Sequence, residues 1–170
     1  PGVLAAEAQA LGALLVHYST DYVFDGRQDA PYCEGDATGP AGAYGHSKLV
    51  GEQAVRTACE RHLILRTSWV YGAHGANFLK TMLRVMRERD ALRVVGDQVG
   101  APTGAALIAD VTAQVLGRYL NSKAAAFPYG IYHLAARGEA AWHDYAVLIG
   151  RLARDAGAPL KVQPEQIQRI

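Results

Sequence analysis

The sequence predicts an α/β protein whose strands form a parallel sheet joined by helical crossovers. Three observations carry that prediction. Two apolar runs, at residues 13–18 and 63–67, have strand length and little alternation, as strands covered on both faces do. Between them, residues 44–60 have helical length, with Leu49, Ala54, Val55 and Ala58 on an apolar face. Beyond them, helix-length segments alternate with short strand-like ones almost to the end of the chain.

Taken in order, residues 3–11 predict a helix leading into the strand at 13–18. Residues 25–42 hold Gly26, Pro31, Gly35, Gly39, Pro40 and Gly42, and predict a long loop. Loops of that length inside a compact domain are usually functional. After the helix at 44–60 and the strand at 63–67, residues 78–89 predict a helix. Its Leu79, Met82, Leu83 and Met86 recur at helical spacing and are read as core, while Arg84, Arg87, Glu88 and Arg89 are read as a solvated face. A short strand at 92–95 precedes a turn-rich loop at 96–104. A helix at 107–120, a strand at 131–134 and a helix at 142–156 complete the series. The last helix is expected to bury Tyr145, Leu148, Ile149 and Leu152.

Composition bounds the function. At 170 residues, half of them apolar, the chain has about one domain's length and material for a sizeable core. A net charge of +1 without a basic run gives no footprint for a nucleic-acid polymer. No apolar run reaches membrane-spanning length. Cys33 and Cys59 lack metal-ligand spacing and are read as reduced thiols of a cytoplasmic protein. The six histidines, His17, His46, His62, His74, His133 and His143, form no zinc pattern, so no metal ligand is assigned.

The chemistry is concentrated in Tyr44-Gly45-His46-Ser47-Lys48 and, 24 residues before that tyrosine, Thr20 in Ser19-Thr20-Asp21. On a helix, Tyr44 and Lys48 lie one turn apart on one face. Reducing a ketone requires a hydride on carbon and a proton on oxygen. A phenol is a poor acid–base group near neutrality. An ammonium beside it stabilises the phenolate and equips it for general acid catalysis. A hydroxyl at a strand end, here Thr20, would hold the same carbonyl oxygen.

Several runs, in order, resemble one family within the extended short-chain dehydrogenase/reductase superfamily. They are Ser19-Thr20-Asp21-Tyr22-Val23-Phe24-Asp25-Gly26, then Tyr44 through Glu52, then Arg66-Thr67-Ser68-Trp69-Val70-Tyr71-Gly72. Asn77-Phe78, Asp97-Gln98-Val99-Gly100-Ala101-Pro102-Thr103-Gly104 and Gly130-Ile131-Tyr132-His133-Leu134 continue the match. The chain resembles the dTDP-4-dehydrorhamnose reductases over nearly its whole length.

That resemblance implies a Rossmann-like, doubly wound parallel sheet, truncated, with part of a smaller C-terminal substrate-binding domain. It assigns 1–72 and 103–122 to the NAD(P)-binding domain, and 73–102 and 123–170 to the substrate-binding domain. The implied reaction is NADPH- or NADH-dependent reduction of the 4-keto group of dTDP-4-dehydro-L-rhamnose, in polysaccharide biosynthesis. Tyr44 is then the proton donor, and Lys48 supports it and binds the nicotinamide ribose. Thr20 positions the sugar carbonyl, with Asp21 beside it at the substrate. Trp69 lies against the deoxysugar, and Asn77 and Phe78 open a helix near the nucleotide diphosphate. Mg2+ accompanies some members, but no acidic cluster here can be assigned to it. A homodimer is left open.

The start departs from the family pattern. Only 18 residues precede Ser19, and no G-x-x-G-x-x-G turn for a cofactor pyrophosphate stands among them. The chain also opens without Met. It is therefore expected to be an internal piece of the enzyme, inactive in isolation. Two other readings remain: a non-catalytic binding or regulatory subunit on the same fold, and a related nucleotide-sugar epimerase. Intact Thr20, Tyr44 and Lys48 favour an enzyme, and Trp69 with the 97–103 loop favours the reductase.

Overall fold

A computed structural model describes residues 1–122 and 126–170. The chain divides into two compact units, Pro1–Ser68 with Asp110–Ala135, and Trp69–Ala109 with Ala136–Ile170.

In the first unit, helix α1 (Gly2–Ala10) leads into strand β1 (Leu15–Thr20), and helix α2 (Ala43–Ala58) crosses over to strand β2 (His62–Thr67). Strand β7 (Gly130–His133) completes a parallel sheet of order β1-β2-β7. Leu15 pairs with His62 and Thr20 with Thr67, so β1 and β2 end level with each other. Ala5, Val55, Cys59 and Ile64 form the core between the helices and the sheet. Most of helix α4 (Ala105–Asn121) also belongs to this unit.

β1 lies two residues later than the sequence predicts. Its apolar half is only partly buried, and its most buried positions are Ser19 and Thr20. Helix α2 also differs in what it buries. Its covered residues are Gly45, Gly51, Glu52 and Val55, while Leu49, Ala54 and Ala58 are only partly covered. The reason is Arg66 of β2, whose Nε and Nη2 donate to Glu52 Oε1 and Oε2 at 2.9 and 2.7 Å. Both side chains are almost fully buried, and burial of a carboxylate is tolerable only with such a partner.

The second unit is built on helix α3 (Phe78–Glu88) packed against helix α5 (Trp142–Asp155). Between their facing sides lie Met82, Val85, Met86, Tyr145, Ala146 and Ile149. Both methionines are core, as their spacing predicts. Short strand pairs frame the helices: β3 (Val70–Tyr71) with β6 (Thr103–Gly104), β4 (Arg93–Val94) with β9 (Gln168–Arg169), and β5 (Val99–Gly100) with β8 (Ala140–Ala141). The 96–104 segment thus contains two strands rather than a plain loop.

The predicted buried face of α5 is rotated. Gly150 meets Pro164 and Met86 closely, which turns Leu148 and Leu152 outward. Tyr145 is buried in this core, and its hydroxyl has no hydrogen-bond partner among the described residues. Burial, with Tyr71 nearby, pushes that phenol up to about 12. A buried hydroxyl without a partner costs stability. Tyr145→Phe is therefore expected to leave stability unchanged or raise it by about 1 kcal/mol in urea denaturation. A loss larger than that would reveal a partner for the hydroxyl.

The two compact units meet along the chain at 68/69, 109/110 and 135/136. Strand β7 hydrogen-bonds in parallel to β2, with Leu63 opposite Gly130 and Arg66 opposite His133, which puts it in the first unit. The second segment of the second unit accordingly begins at Ala136. The boundary expected at 122/123 abuts residues 123–125, outside the described residues. Among the described residues, no helix is long and apolar enough to cross a membrane.

Candidate active site

Thr20 ends β1, and the chain turns there into a short 3-10 turn over Asp21–Val23. Its hydroxyl caps this turn by accepting the Tyr22 N–H at 3.2 Å, and it donates to Asp21 Oδ1 at 3.0 Å. The other carboxylate oxygen, Asp21 Oδ2, accepts from Ser68 Oγ at 2.6 Å. Ser68 immediately follows β2, so Asp21 ties together the C-terminal ends of two parallel strands. That is where open α/β sheets bind ligands.

A hydroxyl has one proton to give. A carboxylate can only accept, so the proton of Thr20 points at Asp21. Asp21, partly buried, is thereby held by two hydroxyl donors. To donate to any other acceptor, Thr20 must rotate its proton away from Asp21. Ser68 was not singled out as a site residue from the sequence, although it sits inside the Arg66-to-Gly72 run. Its signal is its place directly after a strand that pairs with the one carrying Thr20.

Tyr44 and Lys48 occupy the first two turns of α2, as the motif predicts. Lys48 Nζ donates to the Tyr18 carbonyl at 2.7 Å, two residues before Thr20. This bond brings the ammonium to the end of β1 and leaves it two further donors. Tyr44 is 60% exposed, and its hydroxyl makes no hydrogen bond among the described residues. Its ring meets Tyr22 edge-on, with centroids 6.0 Å apart.

Gly45 explains how the helix gets this close. A Cβ there would run into the Tyr22 carbonyl and Pro40, so only glycine lets the first turn of α2 rest on the 3-10 turn. Burial, then Asp21, raises the Tyr22 phenol and keeps it protonated. Burial, then the Lys48 ammonium, holds His17 below the usual histidine range, so it adds no competing positive charge.

The long segment at 25–42 is pinned beside this site. Phe24 stacks on Tyr32 at 4.3 Å, and Tyr32 donates its hydroxyl to Asp25 at 2.6 Å. Glu34 accepts the His133 N–H at 2.9 Å, which holds its carboxyl below the ordinary range. The guanidinium of Arg66 lies 5.0 Å from the Phe24 ring centre.

The other predicted residues belong to the second unit. Trp69 has φ +41°, the one left-handed non-glycine among the described residues. Such a backbone costs on the order of 1–3 kcal/mol and persists only where its surroundings enforce it. Its indole stacks on Trp142, with ring centres 3.4 Å apart and planes 7° from parallel. Asn77 caps α3 by accepting the Lys80 N–H at 3.0 Å, and its amide donates to the Gly72 carbonyl at 2.8 Å. Phe78 packs on Trp142 and Tyr145. A cavity of about 500 Å³ is lined by Tyr71, His74, Asn77 and Ala105 among others. Trp142 was read from the sequence only as the start of a helix. Among the described residues, no group of three or more His, Cys, Asp or Glu side chains could hold a metal ion.

The family model described as the RmlD substrate binding domain matches residues 1–169. The chain belongs to this family. The chain is 52% identical over 157 residues to the dTDP-4-dehydrorhamnose reductase of Escherichia coli K12, covering 92% of this chain and 52% of the relative. A crystal structure of a dTDP-4-dehydrorhamnose reductase from Clostridium acetobutylicum superposes with a TM-score of 0.83 at 38% identity, over 100% of this chain and 54% of that one. The Bacillus anthracis enzyme, solved in complex with NADP, gives 0.80 at 34% identity, over 99% and 55%. This chain therefore spans about half the length of the relatives it matches.

Proposed function

We propose that this RmlD-domain chain supplies the proton-transfer and sugar-binding machinery of a reductase that converts dTDP-4-dehydro-L-rhamnose to dTDP-L-rhamnose with NADPH or NADH. The observation that carries the proposal is the Lys48 Nζ bond to the Tyr18 carbonyl. It brings an ammonium to the strand that bears Thr20, and an exposed phenol stands one helical turn before that lysine on α2.

The first unit fits the ribose and nicotinamide end of such a cofactor. Tyr44 offers an unengaged hydroxyl, and Lys48 offers two unspent donors. When bound, the nicotinamide supplies the hydride that reaches the sugar C4. The chain's residues do the rest. Thr20 turns from Asp21 to the carbonyl oxygen and fixes it near Tyr44. As negative charge develops on that oxygen, the Tyr44 phenol delivers its proton and the Lys48 ammonium stabilises the phenolate left behind. Asp21, steadied by Ser68, accepts the Thr20 hydrogen bond again when product leaves.

In the second unit, taken by itself, two features suit parts of a sugar nucleotide. Trp69 offers an aromatic surface to the methyl group and C–H edges of a deoxysugar. The cavity beside Asn77, at the positive end of α3, suits the nucleotide diphosphate, and Asn77 retains one amide donor for it.

The test is turnover by the full-length protein with NADPH and dTDP-4-dehydro-L-rhamnose. Oxidation of one NADPH per sugar reduced is expected. Sugar returned as an epimer with no net cofactor consumption would replace the reductase with the epimerase reading. Sugar bound without turnover would leave a binding subunit.

A further inference from the structure

We propose that Trp142 is the positioning residue that holds Trp69 in its sugar-facing pose, and so sets the affinity for an apolar deoxysugar face. The proposal rests on the reading of Trp69 given above and adds a residue to it.

The β5–β8 pair builds a slot for one indole. Gly100 of β5 lies opposite Ala140 of β8, and Trp142 follows β8 directly. The backbone N–H of Trp142 donates to the carbonyl of Gln98, the residue before β5, at 3.3 Å, which ties the start of α5 to the strand carrying Gly100. Gly100 has no room for a Cβ, because the edge of the Trp69 indole fills that space. Trp142 covers the indole in parallel contact, and Phe78 backs Trp142 at 4.3 Å. The Trp69 carbonyl accepts the Thr103 N–H at 3.2 Å. Together these contacts enforce the left-handed backbone at Trp69.

A core filler would be enclosed, yet both indoles remain partly exposed while the surrounding Tyr145, Met82 and Met86 are buried. Two flat rings stacked at the margin of a core make a rigid platform, not packing bulk. An apolar sugar face gains more from a flat aromatic surface that is already held in place, because less ordering is left to be done on binding. The specificity therefore depends on the shape of residue 142 as well as on its volume. The same slot accounts for the Asp97-to-Gly104 run, in which Gly100 is the residue that makes space.

The experiment compares Trp142→Phe, which keeps a flat ring, with Trp142→Leu, which keeps bulk and loses flatness, in the full-length protein. Trp142→Leu is expected to raise KM for the sugar nucleotide about tenfold with kcat changed less than about threefold. Trp142→Phe is expected to stay within about threefold of the parent on both. Equal KM values for the two variants would overturn the proposal. Trp69→Ala is measured alongside. If it raises KM and Trp142→Leu does not, the proposal alone falls. If Trp69→Ala leaves KM unchanged, the sugar-facing reading of Trp69 falls and takes the proposal with it.

Discussion

Tyr44→Phe is expected to lower kcat by about 10²–10⁴-fold, the range for loss of a general acid. The substitution removes one hydroxyl, and that hydroxyl is bound to no described residue. The edge-on contact with Tyr22 uses the ring, which phenylalanine keeps. Folding stability should therefore change by less than about 0.5 kcal/mol, as for an exposed site. KM for the sugar should move little, because the phenol acts most strongly as charge develops on the oxygen. The check is steady-state kinetics beside a thermal melt. Turnover near that of the parent would remove Tyr44 from the chemistry.

The largest effect on stability is expected from the buried pair beneath it. Arg66→Met or Glu52→Gln should each cost about 3–5 kcal/mol, because each leaves the surviving charge buried without a counter-charge. The geometry makes the pair exacting: two parallel bonds at 2.9 and 2.7 Å, with the guanidinium also over Phe24. Replacing both by apolar residues, as Arg66→Leu with Glu52→Met, should recover most of that loss. Urea denaturation of the two singles and the double measures it. Single variants within about 1 kcal/mol of the parent would show that water reaches the pair. Glu52 stands one helical turn beyond Lys48, so the singles should also lose activity through a displaced α2.

How much of this was legible follows from where the signals lie. The strand at 63–67 and helices α2 and α3 are continuous or periodic in apolar residues, and they emerged within two residues of their observed bounds. β3, β5, β6, β8 and β9 are two residues long, too short for any period, and exist only because a partner elsewhere in the chain pairs with them. β1 was read two residues early because Ala13 and Leu14 look like strand, whereas the pairing to β2 begins at Leu15.

The site shows the same divide. Tyr44 and Lys48 were legible because their spacing is itself helical geometry. Ser68 was not, since its role depends on two strand ends lying level. Glu52 reads as surface in a helix pattern until Arg66, 14 residues on, is seen to face it. Trp142 is separated from Trp69 by most of the second unit's sequence, and only the β5–β8 pairing brings the rings together.

In the function we propose, this chain's phenol and ammonium complete a hydride reduction at the sugar C4. Its most direct test is transfer of label in the full-length protein, using NADPH deuterated at the nicotinamide C4 position and dTDP-4-dehydro-L-rhamnose. Mass spectrometry and NMR of the product locate the label. One deuterium on C4 of dTDP-L-rhamnose, formed from one of the two C4 epimers of the cofactor and lost with Tyr44→Phe, is the predicted result. Product without deuterium at C4, or label transfer undiminished in Tyr44→Phe, would contradict it.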